Sequence, residues 1–197
     1  MKVRIIIAEI FTKTSIANAH VLMLKEKDGE RRVMLVISPV EAKGIASSLK
    51  DYNIERPLTH DLFEHITSAF GIELKYIVVN RIVRGIYYSH LCYERDGEEK
   101  FIDARTSDAI ALALRVNAPM YIEEDLLDAC CLQNDAEGAY SIPITIANEA
   151  ALKSALDRAI EVENYELAAH LKNELKARNM FNDGTVDRGS ATENNVE

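Results

Sequence analysis

The sequence predicts an α+β fold in which two strand-strand-strand-helix units build a mixed or antiparallel sheet system with helices packed on it, followed by a helical hairpin. Three observations lead there. Runs rich in Val and Ile come in threes, and each trio is closed by a stretch with helical spacing. The two trios align at one offset around the third strand and the helix, matching Ile37 with Ile102, Ile45 with Ile110, Ala46 with Ala111 and Leu49 with Leu114, which reads as an internal duplication over about 3–50 and 72–115. Near the end, two amphipathic stretches of about four turns each flank the turn residue Asn164.

In chain order, Val3 to Phe11, Ala19 to Lys25 and Val33 to Ile37 read as strands, with Lys27-Asp28-Gly29 turning between the last two. Pro39 suits the first turn of a helix that carries Val40, Gly44, Ile45, Ser48 and Leu49 and is broken by Asp51-Tyr52-Asn53. Thr59 reads as the N-cap of a helix with a face of Leu62, Phe63, Ile66 and Phe70, and Gly71 follows its end. The second trio is Ile72 to Val83, Gly85 to Glu94 and Phe101 to Ile102, with Arg95-Asp96-Gly97 as a hairpin turn. A helix from Thr106 turns Ala109, Ile110, Ala113 and Leu114 inward. A short strand at Met120 to Ile122 and a helix led by Glu123, Glu124 and Asp125 complete the domain, acids at a helix start being favoured by its dipole.

The expected organisation is a domain over 1–135, a linker over 136–147, a hairpin over 148–179 and a disordered tail over 180–197, where apolar residues almost vanish. One hairpin helix aligns Leu152, Leu156, Ala159 and Ile160, and the other aligns Ala168, Leu171 and Leu175. Helices that short bury little on their own, so the stripe is expected to pack on another copy, a partner or the chain's own domain. The positions Ala159, Glu163, Tyr165, Glu166, Ala168, Ala169, Leu171 and Leu175 resemble the UVR motif, which mediates protein association in bacterial excision-repair nuclease subunits and some protease-chaperone ATPases. His170 and Asn173 stand where that motif usually has charges. A homo-oligomer or a protein partner engaged through 148–179 is the expectation.

At 197 residues and 48% apolar content, the chain can bury a core without covalent staples. Three cysteines, two of them the adjacent Cys130 and Cys131, argue against a disulfide framework and for a reducing compartment. The opening Met1-Lys2-Val3-Arg4-Ile5-Ile6-Ile7 is too short an apolar run for a signal peptide, and no stretch reaches membrane-spanning length, so cytoplasmic residence without a membrane is expected. A net charge of −9 excludes a generic nucleic-acid coat, which rests on clustered cations. Residues 148–197 hold 6 Lys/Arg and 10 Asp/Glu, which leaves 17 against 22 in the first 147, so any nucleic-acid site must be local. The cations that stand out are Arg31-Arg32 beside a turn and Arg81 with Arg84 on a strand.

Two segments are more polar than their positions demand: Arg56-Pro57-Leu58-Thr59-His60-Asp61-Leu62-Phe63 and Asp103-Ala104-Arg105-Thr106-Ser107-Asp108-Ala109-Ile110. With Ser38-Pro39-Val40-Glu41-Ala42 they resemble the signature segments of the bacterial and plant bifunctional nuclease domain family, over roughly residues 1–135. That resemblance implies an ability to degrade RNA and DNA, but it does not place the catalytic residues. Phosphodiester hydrolysis needs an oriented water, a base, and positive charge against the developing phosphoryl charge. On chemistry, Asp103 and Asp108 are candidate Mg²⁺ ligands, and Arg105 and Arg56 are candidate phosphate clamps. His60 is the candidate acid or base, with Asp61 as a second carboxylate. All six are expected in one cleft.

A plainer reading fits the same residues. Thr59 and Thr106 are N-caps, Asp61 and Asp108 sit in first turns, and Arg56 or Arg105 pairs with them. No Cys₂His₂ spacing, Gly-rich phosphate loop or His-x-Glu metal pair is present in the sequence. The preferred reading is a nuclease acting on RNA or DNA phosphodiesters. The alternative is a non-catalytic adaptor, or a small-molecule or protein-binding module, acting through the hairpin.

Overall fold

Alternation of apolar and polar residues lays Lys2–Phe11 (β1), His20–Glu26 (β2) and Arg32–Ile37 (β3) down as an antiparallel meander, and Glu73–Val83 (β4), Ile86–Arg95 (β5) and Glu98–Arg105 (β6) as another. The computed structural model describes residues 1–12, 19–49, 56–83, 85–134, 140–141 and 149–180, and the chain divides into two units, 1–146 and 147–197. The expected break at Asp51-Tyr52-Asn53, most of the expected linker and all of the expected disordered tail but Met180, which ends a helix, lie outside the described residues.

A seventh strand, Met120–Glu123 (β7), joins the meanders into one mixed sheet of order β3-β2-β1-β7-β4-β5-β6. It runs antiparallel to β1 and parallel to β4, so the two lead strands run in opposite directions on either side of it. Each meander is followed by a helix, Pro39–Leu49 (α1) after the first and Thr106–Arg115 (α3) after the second. The matched Ile45 and Ile110 are both fully buried. Burying one such side chain contributes roughly 1.5–3 kcal/mol, and here the two anchor both helices in one core with Leu22, Leu24, Ile77 and Ile122.

The turn between β5 and β6 has Asp96 at φ 54 and Gly97 at φ 83, the pair of positive dihedrals that a two-residue hairpin of matching twist requires. β6 is longer than the sequence suggests. Its ladder with β5 holds all eight residues in register although the charges Glu98, Glu99, Lys100 and Asp103 obscure its apolar alternation. Thr106 opens α3 but does not cap it. Arg105 occupies the cap position, and the Thr106 hydroxyl shares a buried 2.7 Å hydrogen bond with Ser89 on β5.

The largest departure is Thr59–Ala69 (α2). The sequence assigns it an apolar face of Leu62, Phe63, Ile66 and Phe70, yet no α2 residue is buried, and these four are 45–64% exposed. The half-buried positions are His60, Asp61, Glu64 and Thr67. The hydrogen bonds that His60 makes to Asp108 and that Asp61 accepts from Arg115 hold that polar side against the domain and turn the apolar side outward. A helix Glu124–Cys130 (α4) closes the domain with Leu126, Leu127 and Cys130 buried, and Gln133–Asn134 (β8) pairs with Tyr140–Ser141 (β9). Cys92, Cys130 and Cys131 are not joined in disulfides.

In the second unit Glu149–Glu161 (α5) and Tyr165–Met180 (α6) pack on each other. Asn164 caps α6, its Oδ1 accepting from the Leu167 N–H at 3.1 Å. Leu152, Ala159, Ala168, Leu171 and Leu175 are buried, so Leu171 and Leu175 are not free for a partner, whereas Ile160, Val162 and Tyr165 are 52–72% exposed. Among the described residues no helix is long and apolar enough to cross a membrane.

Candidate functional site

The site forms where α2 crosses the other two helices. Ser38 and Glu41 build a reciprocal cap on α1, Ser38 N–H donating to Glu41 Oε2 at 2.8 Å and Glu41 N–H to the Ser38 hydroxyl at 3.3 Å. The cap leaves Glu41 Oε1 to accept from the Ser107 hydroxyl in the first turn of α3 at 2.7 Å. One residue on, Asp108 takes two bonds from Arg105, Nε to Oδ2 at 2.7 Å and Nη2 to Oδ1 at 3.0 Å. Arg105 also lies 3.4 Å from Glu41.

From α2, His60 places Nε2 3.1 Å from Asp108 Oδ1. The ring fits because position 44 is glycine: a Cβ there would stand 3.2 Å from His60 Cε1 and 3.3 Å from Nδ1. Since Asp108 in its charged form only accepts, Nε2 carries the donated proton and Nδ1 is the basic nitrogen of the neutral ring.

A second network lies beside the first. Arg115, in the last turn of α3 with its side chain only 8% exposed, pairs with Asp61 and donates to the Gly44 and Ala111 carbonyls and to the Ser47 and Ser48 hydroxyls. The other Asp61 oxygen accepts from Leu58 N–H at 2.6 Å and so starts α2. This one guanidinium ties three helices together.

Burial pushes the Asp108 carboxyl up, but the hydrogen bonds from Arg105 and His60 outweigh it and hold the group below the usual Asp range. For Glu41, burial is likewise outweighed by the bonds from Ser38 and Ser107, and for Asp61 by the bonds from Arg115 and Leu58. Folded values below the unfolded ones mean stability that is present above about pH 4 and lost as pH falls through the folded values. The melting temperature should therefore stay level from pH 7 to 5 and fall steeply below about pH 4. A fall already between pH 7 and 5, measured by calorimetry, would place the linkage in some other group.

The structure thus joins His60, Arg105 and Asp108 directly, with Asp61 beside them through α2. Asp103 is elsewhere. It stands on β6 with its side chain 69% exposed, opposite His90 at 3.9 Å. Arg56 is exposed ahead of α2, and no hydrogen bond or ion pair joins it to the cluster among the described residues. Asp103 and Asp108 have different partners, and among the described residues no group of three His, Cys, Asp or Glu side chains is placed to hold a metal ion. These residues do not fit the expected Mg²⁺ site. Nor do the cations form a basic stripe among the described residues: Arg31 is taken by Glu26 and Asp128, and Arg81 lies over the Tyr88 ring, while Arg84 is outside the described residues.

Sequence reasoning named Glu41, Gly44 and Ser107 only as members of a helix or a signature segment, with no role at the site, and did not name Arg115. The Ser38-x-x-Glu41 capping spacing and a cation in the last turn of α3 were the available signals.

A family model described as the bifunctional nuclease domain matches residues 22–135, from β2 to just past β8 and short of α5. Two uncharacterized proteins of Mycobacterium tuberculosis, from strains CDC 1551 / Oshkosh and ATCC 25618 / H37Rv, are each 37% identical over 110 residues, 56% of this chain and 65% of theirs. This chain therefore spans just under two thirds of those relatives. Bifunctional nuclease 2 of Oryza sativa subsp. japonica is 22% identical over 109 residues, 53% of this chain and 34% of its own.

Proposed function

The chain belongs to the bifunctional nuclease domain family, and on that premise we propose that it hydrolyses RNA or DNA phosphodiester bonds at the His60–Asp108–Arg105 cluster. The observation that carries the reading is the histidine held by a carboxylate that an arginine also grips in two bonds. In this reading Asp108 orients His60 and stabilises its protonated form. His60 takes the proton of a water as that water bonds to phosphorus, and the P–O bond to the leaving oxygen breaks, with solvent supplying its proton. Arg105, 69% exposed and so within reach of a ligand, bears against the charge that develops on the phosphoryl oxygens.

The hairpin, through Ile160, Val162 and Tyr165 and its UVR-like pattern, would dock the domain to a protein partner in the cytoplasm. A second reading has its own support: every carboxylate of the cluster is already bonded, as in a purely structural network.

Purified protein should cleave single-stranded or double-stranded RNA or DNA, with the rate measured with and without a chelator. Turnover that survives the chelator supports chemistry carried by these side chains. Abolition by the chelator would move the chemistry to a metal that the cluster as arranged does not hold, and no cleavage of any substrate would leave the adaptor reading.

A further inference from the structure

Among the described residues the outward face of α2 meets the sheet domain at Phe63, whose ring lies tilted 6.5 Å from that of Tyr93 on β5, and buries no side chain, although every other helix of that domain buries several. Leu62, Phe63, Ile66 and Phe70 are exposed together. Beside them a groove of about 620 Å³ runs between α2 and the β5–β6 hairpin, lined by Phe63, Thr67, Tyr93 and Ile102 among others. Ile102, on the same side of the sheet, is itself 48% exposed. β6 is also the last strand of the sheet, eight residues paired without a bulge to β5 and bare of a strand on its other side among the described residues. An apolar helix face next to a regular free edge is a surface that soluble proteins cover.

We propose that it is covered by a second copy of this chain, β6 pairing antiparallel with its own counterpart and the two α2 helices facing each other across the axis. A two-fold axis perpendicular to the sheet keeps each strand's faces on their own sides, so a residue can stand opposite only residues an even number of positions away. Centred on Ile102, this register sets Ile102 against itself on the helix side and Lys100 against Ala104. On the other face it sets Glu99 against Arg105, once on each side of the axis. Centred on Phe101 instead, it would set Glu99 against Asp103, a like-charge pair directly opposed. Charge complementarity therefore selects the first register, and it puts the partner's Glu99 beside the Arg105 that grips Asp108. A strand of about 26 Å and a helix of about 16 Å beside it form a patch of the size that standard dimers bury.

Light scattering on the full chain at micromolar concentration should give twice the chain mass. The double variant Leu62→Asp/Ile66→Asp, altering side chains that the single chain already exposes, should raise the dissociation constant about 100-fold with the circular dichroism spectrum unchanged. Under mild oxidation Ile102→Cys should form a disulfide-linked dimer that neither Lys100→Cys nor the parent chain forms, since only position 102 faces itself. A monomeric parent chain, a dimer indifferent to the helix variant, or cross-linking equal at positions 100 and 102 would each overturn the proposal. If the helix variant does not fold, the cysteine comparison decides alone.

Discussion

His60→Ala should lower the hydrolytic rate by about 100-fold or more while the melting temperature moves little. The ring is half-buried and its one polar contact among the described residues is Asp108, which keeps both bonds from Arg105 when the ring is removed. Asp108→Asn makes the informative contrast. It removes the charge from an acceptor shared by Arg105 and His60, so it should cost stability as well as rate. The two variants should therefore separate: the first inactive but well folded, the second inactive and less stable. If His60→Ala keeps its activity, or loses activity only in proportion to its folded fraction, the cluster is structural and the nuclease assignment of these residues is wrong.

Arg115→Leu should destabilise the domain by about 3 kcal/mol, equivalent to a melting temperature lower by about 6–12 °C at this chain length. The substitution strands the Asp61 carboxylate and deprives Gly44, Ser47 and Ser48 of a shared donor at a position only 8% exposed. Lysine should recover only part of the loss, because a point charge cannot serve Asp61 and the α1 groups from one planar fork. A drop under about 2 °C in differential scanning calorimetry would show that helix packing, with Ile45 and Ile110 buried between the layers, holds the three helices without this arginine.

The sheet, its two trios and the helix after each were legible because hydrophobic period follows secondary structure wherever one face meets a core. Ile45 and Ile110 are the clearest instance, equivalent in sequence and both fully buried. The same rule misleads at α2. Its apolar stripe is real, but the helix is held by His60 and Asp61, and a rule that assigns every stripe to the chain's own interior has no place for a face directed outward. The site was half legible for a related reason. His60, Arg105 and Asp108 stood out by type and meet in space, whereas Asp103, two residues from Arg105, is carried away to His90 by the run of the strand. Arg115 escaped notice because a cation ending a helix is ordinary, and only the fold brings three helices to it. In the hairpin, Leu171 and Leu175 were read correctly as a stripe but not as one already closed against α5.

The strand that unites the sheet is also the last of the seven to be made. Ile5 pairs with Met120, and Ile77 with the same residue from the other side. Until the ribosome has released that segment, β1 and β4 each present a bare edge and no strand pairing joins the two meanders. Joining ends so far apart in sequence is entropically slow, so closure of the sheet around β7 is the step expected to limit the folding rate. During that interval the nascent N-terminal meander, rich in Ile and Val, is the stretch most in need of a chaperone, and a chain released before Met120 would carry two sticky edges rather than half of a working protein.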